Sequence, residues 1–180
     1  MPLRTSWSEN NCPIARAADV LGDPWSLLVL REVFMGNNRF DGMKKELRVA
    51  DNVLSERLRR LVGAGVLTAE PYSAGTRPRN EYRLTAAGTD ALPVLHALTV
   101  WAQRHTQSPS GKPMRIICTT CGTESVSGAW CQTCGAELTV ATTAWAHPKS
   151  GENLIELARA GTPQKTTDRR RGGPDRRPLG

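Results

Sequence analysis

Long apolar runs are absent from this sequence. No stretch of its 180 residues approaches the roughly 20 consecutive apolar residues that a membrane-spanning helix needs. The opening segment MPLRTSWSENNCP also lacks the apolar region of a secretory signal. We therefore expect a cytoplasmic protein with no membrane partner, in which cysteine thiols stay reduced.

Recognisable catalytic constellations are missing as well. The sequence shows no Ser-His-Asp arrangement, no glycine-rich phosphate loop and no paired acids. Its histidines, His96, His105 and His147, are far apart along the chain. His96 falls in an apolar helical segment, which favours a core or interface role over metal ligation. We predict that the chain is not an enzyme.

Charge and size narrow the function classes further. The net charge of +7 and the pI near 9.6 favour a polyanionic partner, with nucleic acid as the leading candidate. The hydrophobic fraction of 39% is modest, and the last third of the chain has few large aliphatic residues. The sequence therefore predicts one sizeable core and no second one.

Apolar residues recur at helical spacing through the first third of the chain. Pro13 and Pro24 occupy the first positions of two predicted helices, and Asp23 caps the second. A third, short helix is predicted over residues 39–47. A fourth begins at Asp51, which we expect to cap it.

A hairpin and another helix follow. Alternating residues at 66–72 and 81–84 predict two strands, joined by a turn at 73–78. Thr85 is expected to cap a last long helix, which Pro93 kinks or starts. Four helices, a hairpin and a final helix in this order are typical of a winged helix-turn-helix, a mainly α fold with a small β-hairpin wing.

The fourth predicted helix has the pattern of a DNA-reading helix. Leu54, Leu58 and Leu61 form its buried stripe, so its other faces point outward, with the first turns toward base edges in the major groove. Cations on the preceding helix suit phosphates, and those at the hairpin tip suit the minor groove. The predicted DNA-binding residues are Arg39, Lys44, Lys45, Asn52, Ser55, Arg59, Arg60, Arg77 and Arg79.

Each of these cations has an alternative role as an ordinary solvated charge. The helix order and the basic hairpin, taken together, favour DNA binding. Arg57 is left open between a structural ion pair and a DNA contact.

Several blocks of sequence resemble, in order, the HxlR family of regulators. They are CPIARA at 12–17, LGDPWSLLVLRE at 21–32, RFDGM at 39–43, VLSERL at 53–58, GAGVL at 63–67, and EYRLT at 81–85 followed by Gly88. The match covers about Cys12 to Trp101, over half of the chain. One departure is the wing, where this chain has TRPR at 76–79 and family members commonly carry two prolines. The extra charge predicts tighter phosphate binding and puts fine base preference in doubt.

The resemblance implies a homodimeric winged-helix regulator, related in fold to the MarR group, that represses or activates transcription from double-stranded DNA. It implies that the fourth helix binds the major groove and that the final helix helps to form the dimer. Some members of the family sense oxidants or electrophiles through a cysteine in the CP motif, so a redox or small-molecule inducer is a candidate partner.

The final predicted helix also has its own case for dimerisation. Its apolar stripe is too broad for one small domain to cover; the predicted interface residues are Leu92, Leu95, Leu98 and Trp101. A two-fold dimer would set two reading helices about 34 Å apart on a pseudo-palindromic operator. The alternative is that the stripe packs on the chain's own core.

Four cysteines form a paired CxxCG motif. Cys118, Cys121, Cys131 and Cys134 make two such knuckles with nine residues between them. Four thiolates suit one tetrahedral zinc ion and leave no open position for catalysis, so we predict one structural Zn²⁺ in a zinc-ribbon-like module. Two disulfides and an iron–sulfur cluster are the alternatives. Glycine after each second cysteine suits the positive φ that lets backbone N–H groups point at sulfur.

The fifth cysteine, Cys12, precedes Pro13 at a predicted helix start, one turn from Arg16. Helix N–H groups and a guanidinium favour a thiolate, which makes Cys12 a candidate redox sensor. The alternative is a small helix-start residue with no redox role, because the sequence shows no residue to resolve an oxidised form.

We expect a DNA-binding domain at 12–105, a linker at 106–113, the zinc module at 114–147 as an appendage, and a mostly disordered basic tail at 148–180, with a helical turn or two near 154–158. The predicted function is sequence-specific transcriptional regulation. The alternative is a zinc-dependent adaptor or an architectural protein that binds DNA without strict specificity.

Overall fold

The computed structural model describes residues 6–74, 77–109, 111–150 and 153–160, without the side chains of residues 73–78 and of Lys149. The helices are α1 (Pro13–Leu21), α2 (Pro24–Phe34), α3 (Phe40–Leu47), α4 (Asp51–Gly63), α5 (Ala86–Thr89) and α6 (Leu92–His105). The strands are β1 (Leu67–Ala74), β2 (Arg77–Leu84), β3 (Arg115–Cys118), β4 (Glu124–Ser125), β5 (Thr143–Ala146) and β6 (Leu154–Glu156). In the described part of the chain, each helix is too short or too polar to span a bilayer.

Helix α2 lies at the centre of the fold. The Asp23 carboxylate caps it by accepting hydrogen bonds from the backbone N–H of Trp25 and Ser26, at 2.9 and 3.3 Å. Its residues Val29 and Leu30 are fully buried. Helix α4 packs against it through the predicted stripe of Leu54, Leu58 and Leu61, all of which are buried.

Two predicted helix starts differ from the structure. Ala50, not Asp51, is the N-cap of α4; Asp51 lies in the first turn, where its carboxylate is 2.6 Å from Lys44 Nζ. Thr85 does cap a helix, because its hydroxyl accepts from Gly88 N–H at 3.0 Å, but that helix is the short α5. The chain turns again before α6, in which Pro93 occupies the first turn. The single long helix expected here is therefore two.

The hairpin is longer than the sequence pattern suggests. Strands β1 and β2 pair antiparallel from Leu67 opposite Leu84 to Ala74 opposite Arg77. The predicted turn at 73–78 thus contains paired strand residues, because Pro71 and Pro78 obscured the alternation without preventing strand geometry. Buried Leu67 and Leu84 fix the base of the hairpin to the helical core.

The C-terminal part of the described chain is a four-stranded antiparallel sheet in the order β4-β3-β5-β6. Strand β6 occupies the segment where a helical turn was expected, and it lies beyond the predicted tail boundary at residue 148. The remainder of the predicted tail, 161–180, lies outside the described residues. Ala158 N–H donates to the Phe34 carbonyl at 2.8 Å, so the end of this sheet is hydrogen-bonded to α2.

Strand β5 supplies the side chain that joins the sheet to the helices. Trp145 is fully buried and belongs to the same apolar cluster as α2, α4 and α6. Its ring lies 5.9 Å from the Phe34 ring and 6.0 Å from the His96 ring, centroid to centroid. The module expected as an appendage therefore shares its core with the helical part of the chain.

His96, on α6, is fully buried with both ring nitrogens hydrogen-bonded. Trp145 Nε1–H donates to His96 Nε2 at 3.0 Å, so Nδ1 carries the proton and donates to the Gly128 carbonyl at 3.1 Å. Burial lowers the pKa of His96 to about 4, against a smaller opposing effect of the hydrogen bond to Gly128. The imidazole is therefore neutral at physiological pH.

We predict that Trp145→Ala lowers the free energy of unfolding by about 3–5 kcal/mol, because it empties a fully buried site between two parts of the core. Urea denaturation measures this value. Trp130→Ala is the matched control: Trp130 is 57% exposed in the same sheet region, and its loss is expected to change stability by about 0.5 kcal/mol or less. Equal effects of the two substitutions would contradict a shared core.

Stability is also expected to depend on pH through His96. As pH falls below the ordinary pKa of 6.5, the unfolded chain takes up a proton that folded His96, with its pKa near 4, does not. The stabilisation present above about pH 6.5 is thus lost as pH falls toward 4, amounting to about 2 kcal/mol between pH 8 and pH 5. Urea titrations should show this loss in the wild type and in His105→Gln, an exposed histidine of the same helix. A loss of the same size in His96→Gln would contradict the assignment.

Candidate DNA-binding surface and metal centre

Helices α3 and α4 form the helix-turn-helix. The turn between them places Arg48 in the left-handed region at φ 52°, one of the few conformations that reverse a helix within three residues. Buried Met43 and Val49 anchor both sides of this turn. The outer face of α4 is thereby held away from the core.

The predicted reading residues of α4 occupy different environments. Asn52 is exposed in the first turn and Ser55, one turn later, is half-buried. Arg59 is exposed and pairs with Glu56 one turn before it. Arg60 instead points toward α1, where its Nη2 lies 3.4 Å from the Asp19 carbonyl.

The cations of α3 and its N-cap also occupy different environments. Arg39 pairs with Glu81 of β2, with Nε 2.8 Å from the carboxylate, and its guanidinium stacks over Tyr72 of β1 at 4.3 Å. This residue joins the start of α3 to the wing. Lys45 is exposed, and Lys44 pairs with Asp51.

On the wing, the exposed guanidinium of Arg79 pairs with Asp41 of α3. The side chain of Arg77 lies outside the described residues. The described part of the wing is therefore held beside α3 by Arg39 and Arg79.

Arg57, left open by the sequence, pairs with the cap of α2. Its Nε lies 3.0 Å from the Asp23 carboxylate, and both side chains are largely buried. This ion pair ties α4 to the start of α2.

The predicted dimer stripe on α6 is divided by the fold. Leu92 and Leu95 are buried in the chain's own core. For these two residues the alternative applies, in which the stripe packs inside the chain and does not form a dimer interface. Leu98 and Trp101 are 45% and 59% exposed, and Val94 lies on the same face at 43%. An exposed apolar surface therefore remains on α6, but it lies on a different face of the helix from Leu95.

The four clustered cysteines converge on one point. Their sulfur atoms all lie within 4.8 Å of one another, with Cys118 Sγ 3.7 Å from Cys134 Sγ and Cys121 Sγ 3.6 Å from Cys131 Sγ. A tetrahedral ion with metal–sulfur bonds of about 2.3 Å needs sulfur–sulfur distances of about 3.8 Å. The donor set and its spacing fit one such ion.

The backbone of each knuckle supports this geometry. Gly122 and Gly135 have φ of 76° and 72°, as predicted, and their N–H groups each donate to the carbonyl of the first cysteine of the knuckle at 2.8 Å. Both glycines need this left-handed conformation for the turn to close around a metal.

Backbone N–H groups also act on the thiols. The pKa of Cys131 is lowered to about 6, chiefly because the Cys134 N–H donates to its sulfur, while burial opposes the change. The pKa of Cys134 is raised to about 12, although the Ala136 N–H acts to lower it, because Cys134 is desolvated beside three other cysteines. Four thiolates in one place repel one another, and a divalent cation removes that repulsion.

Cys12 is exposed at the N-cap of α1. Arg16, expected to face it, donates Nη1 to the carbonyls of Asn10 and Asn11 at 2.6 and 3.0 Å. A redox role for Cys12 stays a prediction.

Sequence reasoning missed residues that act through distant partners. Glu81 and Asp41 position Arg39 and Arg79, and Thr123 places its hydroxyl 3.1 Å from Cys121 Sγ. Arg48 lies exposed in the turn before the reading helix. In the sequence, only the position of Arg48 between two predicted helices could have indicated this location.

Comparison with known proteins agrees with this geometry. Residues 20–110 match the family described as HxlR-like helix-turn-helix. An uncharacterised HTH-type transcriptional regulator of Mycobacterium tuberculosis strain H37Rv is 37% identical over 126 residues, covering 70% of this chain and 79% of the relative. Another from Synechocystis is 40% identical over 88 residues, covering 48% and 64%.

A solved structure supports the same fold. The crystal structure of PA1607, proposed to be a transcription factor, is 38% identical with a TM-score of 0.60, and the match covers 67% of this chain and 83% of that one. The family match at residues 20–110 spans the helix-turn-helix and the wing, built here by α3, α4, β1 and β2. The chain belongs to the HxlR-like helix-turn-helix family of transcriptional regulators.

Proposed function

We propose that this protein is a homodimeric, sequence-specific transcriptional regulator that binds a pseudo-palindromic operator. The observation that carries the proposal is the outer face of α4, which presents Asn52 in its first turn beside a wing fixed to α3 by Arg39 and Arg79. Family membership supports DNA as the partner and, with it, a cytoplasmic site of action.

The α4 helix carries uncharged polar residues in its first turns and cations further along, and this arrangement supports base reading over nonspecific binding. Asn52 can bond an adenine edge with both atoms of its amide, and Ser55 lies one turn further along the groove. Lys44, Lys45, Arg59 and Arg79 suit phosphates, which fix register without reading sequence. Arg60 faces α1, so we assign it a smaller part than its position on the helix suggests.

Dimerisation is supported by the exposed faces of two helices. Val94, Leu98 and Trp101 lie on one exposed side of α6, and Ile14 on α1 is 78% exposed. None of the residues of α1, all of them described, is buried. Apolar surfaces of this kind commonly mark association sites, and a second copy of the chain is the partner that the family supports.

For the four-cysteine centre we propose one structural Zn²⁺. The sulfur geometry supports a tetrahedral ion, and four cysteines leave no open coordination position. Resident zinc would join β3 to the two knuckles and stabilise a sheet with few apolar residues of its own.

The DNA-binding proposal is tested by gel shifts on the DNA upstream of the protein's own gene, at several salt concentrations. Asn52→Ala is expected to cost about 1–3 kcal/mol in specific binding, because it removes a base contact. Asn153→Ala, an exposed asparagine next to β6 and outside the proposed surface, is the matched control. Lys45→Ala should weaken binding to all sequences and reduce the salt slope by about 1.

Two results would contradict the proposal. An unchanged footprint in Asn52→Ala and Arg59→Ala would remove α4 as the reading helix. Equal binding of the wild type to any DNA would instead favour the architectural alternative, since phosphate contacts give affinity without sequence preference.

The metal proposal predicts one zinc per chain in the purified protein, measured by elemental analysis. Cys118→Ser is expected to lower the zinc content well below one, because it removes one of four ligands. Cys12→Ser should retain it, since Cys12 lies outside the cluster. Iron with visible absorbance would point to a cluster instead.

A further inference from the structure

Helix α6 has a face that contacts the four-cysteine module and lies apart from the exposed face proposed for the dimer. On this face His96 bonds the Gly128 carbonyl at 3.1 Å, Gln103 Nε2 donates to the Met114 carbonyl at 2.7 Å, and Arg104 Nη2 donates to the Val126 carbonyl at 3.2 Å. These carbonyls lie just before β3 and in the loop between the two knuckles. Side chains about two turns apart on α6 therefore hydrogen-bond to the backbone of the four-cysteine module.

The same helix face packs against the apolar cluster that contains two of the four cysteines. Cys118 and Cys131 are buried in a small apolar cluster with Ile116 and Leu138, and Val100 of α6 packs against it. The cluster is separate from the main core. Because two of the four proposed metal ligands belong to this cluster, the position of the cysteines and the packing of Val100 are coupled.

The loop between the knuckles approaches α6 closely. A side chain at Gly128 would bring its Cβ within 3.0 Å of the Ala97 backbone nitrogen and 3.3 Å of the His96 carbonyl carbon. Glycine therefore allows the close approach of the loop between Cys121 and Cys131 to the helix, where a Cβ would be crowded.

We propose that metal occupancy of the four-cysteine centre sets the position of α6, and that the centre is a metal-responsive regulatory site for dimerisation. The face of α6 that carries Leu98 and Trp101 lies on the same rigid helix as Val100 and His96. Metal release frees the knuckles, which withdraws the support of the loop and of β3 from α6. The inference rests on the proposed zinc binding and the proposed dimer, and it states that zinc binding affects dimerisation through α6.

The test is hydrogen exchange of residues 92–105 in the full chain, with and without zinc. Removing zinc with a chelator is expected to raise exchange in α6 at least tenfold, and readdition of Zn²⁺ should reverse it. Sedimentation velocity on the same samples should show a dimer dissociation constant at least tenfold higher without zinc. Both readouts are independent of DNA.

Gly128→Ala separates metal binding from its effect on the helix. The added Cβ would lie 3.0 Å from the Ala97 nitrogen, so the loop must shift from α6 by a few tenths of an ångström while the four cysteines are unchanged. This variant should keep one zinc and show α6 exchange that is faster than in the zinc-bound wild type. Gly63→Ala is the matched control, because nothing lies within 4 Å of a Cβ there; its α6 exchange should equal that of the wild type.

The outcomes distinguish the proposals from one another. Zinc-dependent exchange confined to residues 114–147, with α6 unchanged, would overturn the inference while leaving zinc binding intact. Absence of bound zinc in the wild type would overturn both. Failure to bind DNA would contradict the proposed regulator but would leave this coupling standing.

Discussion

The fold depends on one buried aromatic side chain. Trp145 comes from the C-terminal sheet, yet it packs on Phe34 of α2 and bonds His96 of α6. A four-stranded sheet of this size is too small to bury a stable core by itself. Sharing the core of the helical domain solves this problem, and it also means that α6 is held between two parts of the molecule rather than at the edge of one.

The Trp145–His96 hydrogen bond also explains why the C-terminal sheet packs on α6 in one defined orientation. A phenylalanine at position 145 would bury a similar area, but it would leave His96 Nε2 without a donor in a fully buried site, at a cost of about 1–3 kcal/mol. The neutral imidazole with its proton on Nδ1 satisfies the indole on one side and the Gly128 carbonyl on the other. A polar chain thus continues from the main core to the loop between the cysteine knuckles. Apolar packing supplies most of the stability here, and this chain fixes the orientation of the sheet on the helix.

The sequence predicted those features that depend on local pattern. The α4 stripe, the order of the first four helices and the cysteine knuckles with their glycines follow from spacing within a few residues, and the structure confirms them. Long-range contacts were not accessible in this way. The segment 154–158 has the same apolar content in a helical turn or a strand, and it becomes β6 because β5 offers an unpaired edge beside it. Similarly, Leu92 and Leu98 share one apolar stripe, and only the placement of α2 shows which of them is covered.

The ionic arrangement of the DNA-binding surface has a consequence for recognition. Among the described side chains, Arg39, Lys44, Arg59 and Arg79 each pair with a carboxylate in the free protein. A phosphate must therefore replace an acid at each of these cations that it contacts. The pairs of Lys44, Arg59 and Arg79 are exposed and contribute at most about 1 kcal/mol each, so this exchange costs little, whereas the Arg39–Glu81 pair is partly buried and holds the wing beside α3. Because the released carboxylates repel phosphate, the net gain from each cation is smaller than its charge suggests. Uncharged Asn52, exposed on α4, faces no such competition, so under the proposed function its amide reads sequence and the cations set position on the duplex.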